Sequence, residues 1–311
     1  MKQIQVSLSA YGKLPLSKEY LRFQCFGAQA SRYRAWVDEG HEHAVARGGK
    51  AAQLSGRIWR LLLFLDETAS VATIRASSDG LRSFPFSCYS ALEARSLPGP
   101  PSRNLARLLG LWTELEACNE EASRMADPSA FQELLGARTL SPIEAARPDA
   151  PDALDREPIE LFCRALFGGE EGAEALPRFL WRLRQACAQL DRSRTPGVPA
   201  LRLPLARGRD PGGQAMVWLR FLEANRWIPA APVSLAYPAE TREEGRLWVL
   251  SRPGRAEDLA LLGTDAEGFL VPPPADGGTE ALGFRRFRER VEAELLAGET
   301  TLGELAGFVA G

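Results

Sequence analysis

The chain has 311 residues, 45% of them hydrophobic and 25% charged, with a net charge of −2 at neutral pH. That composition supports a real core in one large domain or two ordinary ones, and it excludes a general binder of nucleic-acid backbone. The first residues hold no secretory apolar core and no run approaches the ~18 apolar residues of a membrane span, so the expectation is a cytoplasmic protein that inserts in no membrane.

In chain order, QIQVSLSA alternates in polarity and predicts a first strand. YGKLPLSKEYLRF reads as a Gly/Pro loop leading into a short segment. AQASRYRAWVDEGHEHAVARG predicts an amphipathic helix with Tyr33, Trp36, Val37 and Ala44 on one side. An apolar run from Ile58 to Leu65, a polar turn from Asp66 to Ser70 and a second run from Val71 to Ile74 predict a hairpin. SSDGLRSFPF follows. Asp79-Gly80 is a turn signal, because glycine reaches positive φ at no steric cost and Asp bonds its own backbone. Pro85 cannot donate to a ladder and belongs at a strand start or an edge. Two helices follow. The first has Ser102 as its expected N-cap and Leu105, Leu108, Leu109, Trp112 and Leu115 along one face; the second is capped by Asp127 with Pro128 in its first turn.

Residues 139–158 carry four prolines and five acids, which predicts a linker or extended crossover with few buried side chains. Beyond it come two helices, the strand ALRLPLA, the helix GGQAMVWLRFLEANR, the strands PVSLAYP and RLWVLS, and the short helix AEDLALL. A long loop, GTDAEGFLVPPPADGGTE, and closing helices complete the chain. The expected fold class is α+β: a mainly antiparallel sheet flanked by helices, an α/β/α sandwich, with a helical C-terminal extension. The expected organisation is an α+β domain over 1–138, the Pro/acidic segment 139–158, and a second α+β region over 159–311, either separate or packed on the same core.

Several chemistries find no support. The five cysteines (Cys25, Cys88, Cys118, Cys163, Cys187) are dispersed without a CxxC pair, and read as buried, inert thiols. Both histidines lie in DEGHEH, two residues apart, so they diverge by about 200° on a helix and do not share a metal. Neither Gly-Lys pair continues into a phosphate loop, and no G-x-S-x-G is present. RGRDPGGQAM offers a glycine-rich helix start, where anions can bind. No cofactor or metal is expected.

Three stretches carry a resemblance. YGKLP (Tyr11 to Pro15), followed by a helix with W-x-D-E-G (Trp36 to Gly40), is similar to a Gly-Lys-Leu-Pro opening. SSDGLRSFPF, through Asp79, Arg82, Phe84 and Pro85, is similar to a Ser-x-Asp…Gly-Arg-x-Phe-Pro-Leu motif. More loosely, PVSLAYPAETREEGRLWVLSRPGRAEDLALL matches a closing strand–turn–strand and short helix. In this order they resemble the TagF (ImpM) accessory proteins of bacterial type VI secretion. This chain departs from the pattern at Lys18-Glu19, where a Gly-Asp pair is usual, and its Asp79-to-Arg82 spacing is one residue shorter. The resemblance implies a cytoplasmic, non-catalytic regulator acting through a forkhead-associated scaffold protein. It implies partner contact through Gly12, Lys13, Leu14, Pro15, Asp79, Arg82, Phe84 and Pro85. Read as residues alone, Asp79 and Arg82 are more simply a local turn-stabilising pair, with Phe84 or Phe86 in the core. Two other functions stay open at this point: a binding module for another scaffold, and an enzyme built around Asp38, His41 and Asp79.

Overall fold

A computed structural model describes residues 3–46, 57–80, 82–144, 156–168, 172–192, 201–226, 228, 232–242, 245–250, 253–262, 279–296 and 300–308. The elements in chain order are β1 (Ser9–Lys13), β2 (Tyr20–Phe23), α1 (Ala28–Ala46), β3 (Trp59–Leu65), β4 (Thr68–Arg75), β5 (Phe86–Glu93), α2 (Pro101–Ala122), α3 (Pro128–Ala137), α4 (Ile159–Phe167), α5 (Gly172–Arg192), β6 (Leu201–Leu205), α6 (Pro211–Ala224), β7 (Ser234–Pro238), β8 (Gly245–Leu250), α7 (Glu257–Leu262), α8 (Thr279–Val291) and α9 (Leu302–Gly307). The strand pairings are antiparallel, and the fold is α+β, as the short-turned hairpins predict. Among the described residues no helix is long and apolar enough to cross a membrane.

The chain forms two compact units. One comprises 1–146, 232–239 and 252–266; the other comprises 147–231, 240–251 and 267–311. Most of the Pro/acidic segment, residues 145–155, and most of the predicted loop, residues 263–278, lie outside the described residues. At the near end of the Pro/acidic segment, Leu140 and Ile143 are buried, and Ile143 exchanges backbone hydrogen bonds with Ile4.

In the first unit the strands run β2-β1-β5-β4-β3-β7. Successive side chains on a strand point to opposite faces, and β5 shows where each helix lies. Ser87 and Tyr89 face α1: the Tyr33 hydroxyl lies 2.7 Å from Ser87 Oγ, and its ring centroid is 4.3 Å from that of Tyr89. Their neighbours Phe86 and Cys88 face the other way, Phe86 against Phe131 of α3 and Cys88 against Cys118 of α2. The expected helices on both faces are present in this unit. On the α2 face, Trp112 Nε1 donates to the carbonyls of Leu61 and Ala72, and the Arg60 guanidinium pairs with Glu116. The apolar periodicity of α1 holds, with Tyr33, Trp36, Val37 and Ala44 all buried.

Two local expectations are corrected. β1 is not QIQVSLSA but Ser9–Lys13. Within the earlier stretch Ile4 makes only an isolated bridge, to Ile143, so the alternation there reflects one bridged residue rather than a ladder. Ser102 does not cap α2. Pro100 is the N-cap, Pro101 begins the helix, and Ser102 is buried in the first turn. Proline has its φ preset and lacks the N–H that would need capping. Asp127 caps α3 as expected, accepting from Ser129 N.

In the second unit β6 pairs with β8. α6 packs beside β6: Gln214 holds both the N–H and the carbonyl of Ala206, and Trp218 Nε1 donates to Pro204 O at 2.8 Å. Phe162 of α4 and Phe179 of α5 close around Trp218, with centroids 6.0 and 5.3 Å away. α8 continues into a π-helical turn over Glu292–Leu296, and α9 begins with a capping box between Thr301 and Glu304.

Candidate partner-binding site

The two motifs that carry the resemblance meet at one end of the first unit. Gly12, near the end of β1, lies opposite Phe86, the first residue of β5. Its φ is +121°, and a Cβ there would stand 2.0 Å from the carbonyl oxygen of Pro85. Only glycine permits that approach. It brings Lys13 N within 3.3 Å of the same carbonyl. Pro85 itself is buried just before β5, where its missing N–H costs nothing. Leu14 is fully buried and Pro15 half-buried.

The turn preceding β5 is tied to this strand by a buried ion pair. Lys13 Nζ lies 2.7 Å from Asp79 Oδ2, with the two side chains 0% and 8% exposed. The ammonium also donates to Ser17 O at 2.9 Å. The other Asp79 oxygen accepts from the backbone N of Arg82 at 2.7 Å. A single carboxylate therefore holds its own turn closed and anchors the YGKLP loop. The Arg82 guanidinium is not its main partner, since Arg82 Nε stands 4.0 Å from Asp79 Oδ2.

Phe84 is the hydrophobic centre. Its ring meets Tyr11, Tyr20 and His41 edge-on, with centroids at 5.8, 5.2 and 4.8 Å. The Tyr11 hydroxyl donates to Asp38 of α1. Burial, and then the hydrogen bond and charge of Asp38, push the Tyr11 phenol above its ordinary range. Burial pulls His41 below the usual imidazole value, against the neighbouring Glu42 and Asp38. The W-x-D-E-G stretch is bound in from the other side. Trp36 Nε1 donates to Arg255 O at 2.7 Å, and Gly40 lets α7 approach so closely that a Cβ would stand 2.7 Å from Ala256 O.

Of the eight residues expected to contact a partner, Gly12, Lys13, Leu14, Phe84 and Pro85 are buried and build the site from within. Arg82 is the outward member: its side chain is 58% exposed, steadied by one hydrogen bond from Nη2 to Lys18 O at 3.0 Å. Near it the surface carries Leu16 and Tyr20, 58% and 42% exposed; Phe26, 82% exposed, follows the opposite end of the edge strand β2. Sequence reasoning missed them. Leu16 and Phe26 sit in loops with no periodicity to say which way a side chain faces, and Tyr20 opens a strand that read only as a short unassigned segment. Arginine beside exposed aromatic and aliphatic side chains is the composition of an interface centre.

Of the three polar groups weighed for catalysis, Asp38 is bonded to Tyr11 and Asp79 to Lys13 and Arg82 N, while His41 packs its ring edge-on against Phe84. Among the described residues no group of three or more His, Cys, Asp or Glu side chains is placed to hold a metal. The glycine-rich start of α6 carries its own anion, because the Asp210 carboxylate accepts from Gly212 N and Gly213 N.

No family model matches the sequence, and no curated protein matches it. Among solved structures, the chain is similar to PA0076 from Pseudomonas aeruginosa PAO1, with 14% sequence identity and a TM-score of 0.46. The alignment covers 88% of this chain and 100% of that one.

Proposed function

We propose that this protein is a non-catalytic accessory protein of type VI secretion, acting in the cytoplasm. It restrains assembly or firing of the machine by holding a protein partner, a forkhead-associated scaffold protein. The observation that carries the reading is the convergence of YGKLP, W-x-D-E-G and SSDGLRSFPF on Phe84 and the Lys13–Asp79 pair. Three separated stretches that carry one family resemblance build one end of one sheet. That end presents a fixed arginine beside exposed Leu16 and Tyr20.

A non-catalytic role is supported by the engagement of two of the three groups, Asp38 with the Tyr11 hydroxyl and Asp79 with Lys13 and Arg82 N, in internal contacts. The test is calorimetric titration of the purified protein with a forkhead-associated scaffold protein of a type VI secretion system from the same cell. Saturable binding supports the reading. No binding at any accessible concentration, with both proteins folded, overturns it and leaves a binding module for a different scaffold or an enzyme built around Asp38, His41 and Asp79.

A further inference from the structure

The partner site uses no thiol, yet one pair of buried cysteines is arranged for chemistry. Cys25, Cys88, Cys163 and Cys187 behave as their apolar settings predict, each pushed up by burial, Cys163 and Cys187 to about 12. Cys118 differs. It projects from α2 toward β5, where the Cys88 thiol hydrogen-bonds its sulfur. Arg138, at the end of α3, donates to the same sulfur from Nη1 at 2.9 Å. Its Nη2 donates to Glu121 Oε1 at 3.0 Å, which fixes the guanidinium plane between sulfur and carboxylate. Two donors converging on one sulfur favour its anion. The Cys88 hydrogen bond first, and then Arg138, outweigh burial and bring Cys118 down to about 7. Cys88 moves the opposite way, raised by burial and by the neighbouring sulfur. Cys118 is thus the more readily ionised thiol of the two.

We propose that Cys88 and Cys118 form a peroxide-responsive dithiol site, in which Cys118 attacks a small hydroperoxide and Cys88 resolves the product to a disulfide. In the first step the Cys118 thiolate attacks one peroxide oxygen. An S–O bond forms, the O–O bond breaks, and the second oxygen leaves as hydroxide or alkoxide and takes up a proton. The sulfur is oxidised by two electrons to sulfenic acid and the peroxide is reduced. In the second step Cys88 sulfur attacks the sulfenyl sulfur. The S–S bond forms, the S–O bond breaks, and hydroxide departs with the Cys88 proton as water. Both sulfurs are buried, so the oxidant is small, hydrogen peroxide before any lipid hydroperoxide. The product ties α2 to β5 and removes the anion that Arg138 holds.

The test uses the folded full chain. It is exposed to a slight excess of hydrogen peroxide, then denatured, alkylated and mapped by mass spectrometry. The expected first product is a Cys88–Cys118 disulfide, with Cys163 and Cys187 still fully alkylated. Cys88→Ser stops at a Cys118 sulfenic acid that dimedone traps. Arg138→Gln slows oxidation about tenfold and moves the pH of half-maximal rate upward, toward that of an ordinary thiol. Three results overturn the proposal: oxidation spread evenly over all the cysteines, oxidation only after denaturant is added, or an Arg138→Gln rate and pH midpoint identical to wild type.

Discussion

Lys13 and Arg82 belong to the same pair of loops and touch the same aspartate, yet they occupy opposite settings. Lys13 is wholly enclosed, with its ammonium shared between Asp79 and the Ser17 carbonyl; Arg82 stands 58% exposed, with Nη2 bonded to Lys18 O. Asp79 serves both, but differently: it neutralises the lysine and only closes the backbone turn of the arginine. The difference separates construction from recognition. A buried charge is tolerable only when paired, and removing one member strands the other. An exposed cation beside its turn carboxylate contributes almost nothing to stability, so its value lies elsewhere.

Four single variants and one double variant break or sharpen that contrast. The largest expected effect is at Gly12, where alanine would set a Cβ against the Pro85 carbonyl at 2.0 Å, at a φ that side chains rarely adopt. Gly12→Ala should cost about 4 kcal/mol or more in urea unfolding, since β1 and β5 cannot both keep their places. Lys13→Met should cost ~3–5 kcal/mol, because it leaves Asp79 buried without its cation. The double variant Lys13→Met with Asp79→Leu should recover much of that loss. A double variant as unstable as the single one would show that the pair's individual hydrogen bonds, not charge balance, hold the loops. Tyr11→Phe should cost ~1–2 kcal/mol by taking a donor from Asp38, again read in urea. Arg82→Ala should change stability by less than ~0.5 kcal/mol.

The sequence carried much of the frame. Continuous apolar runs placed the β3–β4 hairpin, whose strands are buried on both faces, and helical periodicity placed the buried face of α1; the hairpin turn is only Asp66-Glu67, not Asp66 to Ser70, because Thr68–Ser70 pair within β4. The Asp79-Gly80 turn and the Pro85 strand start were legible from backbone chemistry alone. β2 was not legible. It is four residues long, with exposed Tyr20 and Arg22 flanking buried Leu21, too short to show a period. Nor did the sequence separate Lys13 from Arg82 as buried and exposed. Both are cations in polar, proline-bearing stretches, and only the 66-residue return of the chain from Lys13 to Asp79 encloses the first. The thiol pair was hidden for the same reason: Cys88 and Cys118 each sit in an apolar run, and the Arg138 that sets Cys118 apart arrives from a third element.

The proposed division, with Lys13 building the loops and Arg82 meeting a partner, is tested most directly by calorimetric titration of a forkhead-associated scaffold protein with the wild type and with Arg82→Ala, run beside thermal melts of both. The expected result is affinity weakened by ~1–3 kcal/mol, about tenfold to a hundredfold, with an unchanged melting temperature. Unchanged affinity with a lowered melting temperature would contradict it, and would make Arg82 one more residue of the turn.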